Sequence, residues 1–242
     1  MGFLAIVLAA AFAAGSVASV VGFGIGSILT PLLAVRLGMR VAVAAVSIPH
    51  LAGTALRFWL LRRHVDRRVL VTFGIASAAG GLGGALLQSR ASNASLAIVL
   101  AALLLLAAAS ELFGLARRVR LGSTGAWIAG AVSGMFGGLV GNQGGIRSVA
   151  LLAFDIEKQA FVATATAIAL LVDAARMPVY LVTTGSDVRA AWPVVDVATL
   201  GVVAGTLAGG HLLRRIPESA FRRIVALLLF VLAAWLLTRA RL

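Results

Sequence analysis

The sequence contains no cysteine, which excludes disulfides, iron–sulfur clusters, cysteine-based zinc sites and any thiol relay. Acid is scarce as well. Only 8 Asp+Glu stand against 21 Lys+Arg, and charged residues make up 12% of the chain. A soluble domain carries roughly a quarter of its residues as charges, so an ordinary soluble fold is excluded. No Walker, G-x-S-x-G or H-E-x-x-H pattern occurs, and no His, Asp or Glu residues cluster at metal-ligand spacing. ATP hydrolysis and metalloprotease chemistry therefore have no basis in the sequence, and neither a cofactor nor a metal is expected.

What is present is apolar. Hydrophobic residues reach 61% and mean hydropathy is +1.06 over 242 residues. Apolar runs bounded by charge or turn residues fall at about Phe3–Val21, Val41–Leu61, Val69–Leu87, Leu96–Leu115, Thr124–Val140, Phe161–Val182, Trp192–Leu213 and Phe221–Leu237. Each is near the roughly 20 residues a spanning helix needs, and the alternating strands of a closed barrel are not seen. The fold expected is an all-α polytopic membrane protein of about eight transmembrane helices. Met1 to Ser19 has the look of a signal-peptide core, but it lacks a basic leader and stays apolar to Val21, so it reads as a retained first helix.

The net charge of +13 sits in arginine clusters between apolar runs: Arg62–Arg68, Arg117–Arg120 and Arg214–Arg223. Positive-inside topology and contact with anionic lipid account for such clusters; nucleic acid is not the expected partner.

A repeat underlies the chain. Shifted by about 119 positions, Gly22 meets Gly141, Gly26 meets Gly145, Leu33 meets Leu152, Val43 meets Val162, Ser47 meets Thr166 and Arg57 meets Arg176. After a small change of offset, Gly80 meets Gly205 and Gly84 meets Gly209. The expected organisation is two homologous four-helix repeats, 1–116 and 117–242, forming one integral membrane domain. Simple alternation of eight spans would put the third basic cluster opposite the first two. An odd number of crossings per half would put all three in the cytoplasm with the N-terminus outside. The second arrangement makes the halves inverted repeats, as in many secondary transporters, and is the one favoured.

Two short apolar stretches, Ser27–Leu37 and Ile146–Phe154, follow glycine-rich breaks, Gly22-Phe23-Gly24-Ile25-Gly26 and Gly141-Asn142-Gln143-Gly144-Gly145. Interrupted helices at matching points of two halves point to a transporter's binding site, with half-helix N-termini suited to an anion. Close helix packing of the GxxxG kind is the competing explanation for Gly22 and Gly26. The expected substrate contacts are Gly22, Phe23, Gly24, Gly26 and Ser27 in the first break, and Asn142, Gln143, Gly144 and Gly145 in the second. Arg147, just after the second break, is expected to be the principal anion ligand, with Arg57 and Arg176 beside it. Asp173 and Arg176 share a helix face, as an ion pair or as working groups. Arg57 alternatively anchors a membrane end beside Trp59. His50, after Pro49, is a proton-coupling candidate together with Asp173, or a histidine held at a proline kink.

These residues carry a resemblance. Gly22 to Ser27, continuing to Thr30-Pro31-Leu32-Leu33, resembles the glycine-rich signature that opens the first half of the TauE/SafE-type sulfite exporter family. Ala45-Val46-Ser47, Arg62-Arg63-His64-Val65-Asp66, Gly134 to Leu152 and Phe161 to Thr164 fall at further positions of its pattern, over essentially the whole chain. The second glycine box departs from it: Gly141-Asn142-Gln143-Gly144-Gly145-Ile146-Arg147 is more polar and more cationic than G-x-G-G-G. The resemblance implies a small secondary carrier of sulfite, sulfonates or related anions in the bacterial inner membrane, with an anionic substrate and membrane lipid as partners and a homodimer as one admissible assembly. An anion channel and a non-transport intramembrane protein are the alternatives. One half is expected to move against the other in alternating access.

Overall fold

The computed structural model describes residues 2–113, 123–152, 154, 156–212 and 218–240, and among them there is no strand. The basic cluster Arg117–Arg120, the 116/117 repeat boundary and the first residues of the cluster beginning at Arg214 lie outside the described residues. The chain runs through α1 (Gly2–Val21), α2 (Ile25–Leu37), α3 (Met39–Leu61) and a 3-10 turn, Arg62–His64. Helix α4 (Arg67–Val69) passes through a π-helical turn, Leu70–Gly74, into α5 (Ile75–Gln88), and α6 (Asn93–Phe113) follows. Then come α7 (Ser123–Val140), α8 (Gly144–Leu152), α9 (Lys158–Ala190), α10 (Trp192–Leu212) and α11 (Glu218–Ala240).

Six helical stretches among the described residues are long and apolar enough to cross a membrane, against the eight runs expected. Thr124–Val140 and Leu229–Thr238 are apolar but shorter, as is Ile25–Leu37. Helix α9 extends past the hydropathic run that ends at Val182. Polar residues continue it, and the Thr183 and Thr184 hydroxyls find partners within the helix by donating to the carbonyls of Val179 and Tyr180. The basic connection ends at Asp66, whose carboxylate accepts from the Val69 N–H at 3.0 Å and whose own N–H donates to Thr164 Oγ1 at 2.9 Å. Large apolar side chains such as Val182, Leu200 and Leu227 point outward, which suits a surface that meets lipid rather than water.

Packing follows the small residues. Helix α1 lies along α10, and α7 lies along α5. A Cβ added at Gly205 would run into the Phe12 carbonyl, and one at Gly209 into Ser16 and Ser19; one at Gly80 would run into the Ala131 carbonyl, and one at Gly84 into the Met135 carbonyl. Helix backbones in lipid approach this closely only where side chains are absent. Hydroxyls staple both seams: Ser16 Oγ donates to Gly205 O at 3.1 Å and Ser77 Oγ to Gly130 O at 3.0 Å. Helices α3 and α9 pack on each other at the centre, and α6 packs on α11.

Adjacent glycines of α5 give a sharp test of this seam. Gly83 has open space where a Cβ would go, whereas Gly84 faces backbone. Gly83→Ala is expected to hold or raise thermal stability in detergent, since alanine is the better helix former by about 1 kcal/mol. Gly84→Ala is expected to cost about 1–3 kcal/mol by overpacking. Equal melting temperatures for the two variants would refute the seam.

Candidate functional site

The two helix breaks meet. Gly22 and Gly141 adopt φ +87° and +72°, and Gly24 adopts +130°, a region that L side chains avoid. Helix α1 therefore ends at Val21 and α7 at Val140, and each chain turns before a second, short helix begins. The breaks themselves are shorter than the sequence suggests. Gly26 and Ser27 already lie in α2, and Gly144, Gly145 and Arg147 in α8. A Cβ on Gly26 would overlap the Gly141 carbonyl, and one on Gly144 would overlap Phe23. Ser27 Oγ donates to Asn142 Oδ1 across the junction at 3.3 Å.

Behind the junction, α3 and α9 supply a buried polar cluster. His50, Thr54 and Arg57 recur at the spacing of one helix face on α3. Thr166, Asp173, Arg176 and Tyr180 do the same on α9, and α3 packs against α9. Arg57 is 2% exposed, Arg147 1%, Arg176 1% and Asp173 0%. Asp173 is the one buried carboxylate among the described residues, so three buried guanidiniums share one counter-charge. A charge deep in a membrane protein is costly unless it faces a partner or a cavity.

The hydrogen bonds separate these arginines. Asp173 is held at both oxygens: His50 Nδ1 lies 2.7 Å from Oδ2, while Arg176 Nε and Nη2 lie 2.9 and 2.7 Å from Oδ1. Arg176 Nη1 donates to the Gly137 carbonyl, and the Tyr180 hydroxyl to the Gly138 carbonyl. Arg176 is thus fully engaged within the protein. Arg57 donates from Nε to Thr166 Oγ1 at 3.0 Å, and Thr166 in turn donates to Val162 O at 2.7 Å. That leaves Arg57 Nη1 buried without a hydrogen-bond partner, and Arg147 Nε and Nη1 are in the same condition. Arg147 lies within electrostatic reach of Arg57, Asp173 and Arg176. Both polar atoms of the Gln143 side chain, and the hydroxyls of Thr30 and Thr54, are also buried and unpartnered.

Not every expected residue joins the cluster. Gly24, at positive φ, packs beside the Val17 side chain of α1, and Gly145 lies beside Ala107 of α6. Gly22 lies against Val162 and Ala165 of α9. Arg57 is no interfacial anchor, because it points inward while Trp59, two positions on, is 65% exposed and stacks under Arg62 at 3.7 Å. Thr166, Tyr180 and the carbonyls of Gly137 and Gly138 carry no motif; only the packing of α7 and α3 on α9 reveals them. Among the described residues no group of His, Cys, Asp or Glu could hold a metal ion.

Residues 7–236 match the family model described as Sulfite exporter TauE/SafE. The chain belongs to this family. Comparison with curated proteins and with solved structures gives no match. Membership makes the protein a multi-pass membrane protein of an anion-exporter family, and the Gly22–Ser27 stretch, which resembles the family's opening signature, lies where the two breaks meet.

Proposed function

We propose that the protein is a secondary carrier of small anions of the sulfite and organosulfonate class across the bacterial inner membrane. The observation that carries this reading is the buried excess of positive charge: Arg57 and Arg147 hold buried N–H groups without partners, and the one buried carboxylate among the described residues is taken by Arg176 and His50. An oxyanion placed between them would supply the missing counter-charge. The planar guanidinium fork grips such groups through parallel hydrogen bonds. Gln143, the Ser27–Asn142 bridge and Phe23 border the same junction. His50, bonded to Asp173, is the group whose protonation would tie proton movement to the anion.

The carrier is read as two homologous halves, 1–116 and 117–242. Residue-for-residue recurrence of the glycine seams supports this, because Gly205 on Phe12 repeats as Gly80 on Ala131 and Gly209 on Ser16 repeats as Gly84 on Met135. The seams also change the expectation that one half moves against the other. Helix α1 of the first half is packed on α10 of the second, and α7 of the second on α5 of the first, so the bodies that rock are α1, α2, α3 and α10 against α5, α7, α8 and α9. The α3–α9 contact, with the anion site beside it, lies between them.

Proteoliposomes loaded with unlabelled sulfoacetate or sulfite and diluted into labelled substrate test the reading. Saturable counterflow that disappears in Arg147→Ala is the expected result. Flux that never saturates and shows no counterflow would identify a channel and overturn the carrier.

A further inference from the structure

The two copies of the central helix differ at one telling position. Arg57 and Arg176 correspond under the repeat, and the residue three before each corresponds as well: Thr54 in α3, Asp173 in α9. On α9 that spacing yields an ion pair, with Arg176 Nη2 2.7 Å from Asp173 Oδ1. On α3 it cannot, because threonine carries no charge. Arg57 reaches across to Thr166 with Nε and keeps Nη1 free.

The Thr54 hydroxyl is itself unusual. In Thr72, Thr166, Thr183, Thr184 and Thr199 the hydroxyl donates to the carbonyl four residues earlier. Such back-bonding is how a helical threonine satisfies itself. Thr54 is 0% exposed and its Oγ1 has no partner, a condition it shares with Thr30 and Thr206. It sits one turn from both His50 and Arg57, on the face that holds the polar cluster. A buried hydroxyl left without a partner is costly, and an anion at Arg57 would accept its proton.

We propose that Thr54 is the positioning and specificity residue of the anion site: by being uncharged it leaves Arg57, and not Arg176, to meet the anion, and its hydroxyl donates to that anion. This rests on the carrier reading above. It makes the site a product of broken repeat symmetry, in which the α9 copy closes on itself as a structural pair and the α3 copy stays open for ligand.

The test is Thr54→Asp, which restores the missing acid one turn before Arg57 and reproduces the α9 arrangement. Sulfoacetate affinity is measured by calorimetry for the parent, Thr54→Asp, Thr54→Val, Thr54→Ser, Arg57→Ala and the Thr54→Asp/Arg57→Ala double variant. Thr54→Asp is expected to bind at least tenfold more weakly while melting at or above the parent temperature, since it neutralises a buried charge. The double variant is expected to bind more weakly than Arg57→Ala alone, because it also loses the Thr54 hydroxyl and sets an unpaired carboxylate against the anion. Thr54→Val is expected to lose about tenfold, the worth of a hydrogen bond to a charged group, and Thr54→Ser to recover most of it. If Thr54→Asp and Thr54→Val bind as tightly as the parent while Arg57→Ala does not, the role given to Thr54 is wrong and the carrier site stands. If Arg57→Ala and Arg147→Ala both bind like the parent, the anion site itself falls and takes this inference with it.

Discussion

Arg147→Ala is expected to abolish anion binding while leaving the empty protein at least as stable as the parent. Two effects of one cause produce this split. Arg147 is buried at the start of the short helix α8, with Nε and Nη1 unpartnered. Without ligand those donors are buried and unsatisfied, so truncation removes their cost. With an oxyanion present the same donors become its ligands, and losing one partner of a buried charge pair costs about 2–5 kcal/mol, a loss on the order of 30-fold or more. Arg147→Lys keeps the charge without the fork and should retain part of the affinity. Calorimetry for affinity and thermal unfolding without ligand, at matched ionic strength, measure both sides. A variant that loses binding only because it unfolds at lower temperature would refute the split.

Asp173→Ala should do the reverse and damage the fold first. Asp173 is the shared acceptor of His50 and Arg176 and the single buried carboxylate among the described residues. Its removal strands Arg176 and leaves the three arginines with no counter-charge. Breaking a buried pair in this way costs about 3–5 kcal/mol, a large fraction of the stability of any domain. The expected outcome is low yield and a markedly lower melting temperature in detergent. Asp173→Asn should be milder, because its amide oxygen still accepts one of the bonds. An added divalent oxyanion should partly rescue either variant by supplying charge to Arg57 and Arg147, with the stabilisation growing with ligand concentration. Unfolding curves of Asp173→Ala that overlay those of the parent would show that the ion pair is dispensable.

Much of this arrangement is written locally in the chain, and the rest depends on contacts that sequence spacing does not encode. The breaks are legible because glycine is the residue that tolerates positive φ, and Gly22 and Gly141 repeat at one offset. Asp173 and Arg176 are legible as a pair because three residues make most of one helical turn. The fate of Arg57 is harder to read. Its nearness to Trp59 along the chain suggests a membrane end, yet two positions on a helix turn about 200°, so Trp59 faces outward and Arg57 inward. Thr166 as its partner is invisible until α3 is laid on α9. The glycines of α5 and α10 announce close approach without naming the helix that approaches. The length of α9 escapes a hydropathy reading because its last turns are polar and self-bonded.

The exchanged seams also bear on how the protein is made. Phe12 can reach its place only when Gly205 has left the ribosome, and at about 5–20 residues per second that takes on the order of 10–40 s. Through that interval the first helix sits in the bilayer with its small-residue face uncovered, while Ala131 and Met135 close the α5 seam first. The α5–α7 seam can therefore close before the α1–α10 seam. A release of translation before α10 yields neither half as a folded unit, and the quality-control proteases of the membrane meet a protein whose opening helix is locked in only after α10 is made.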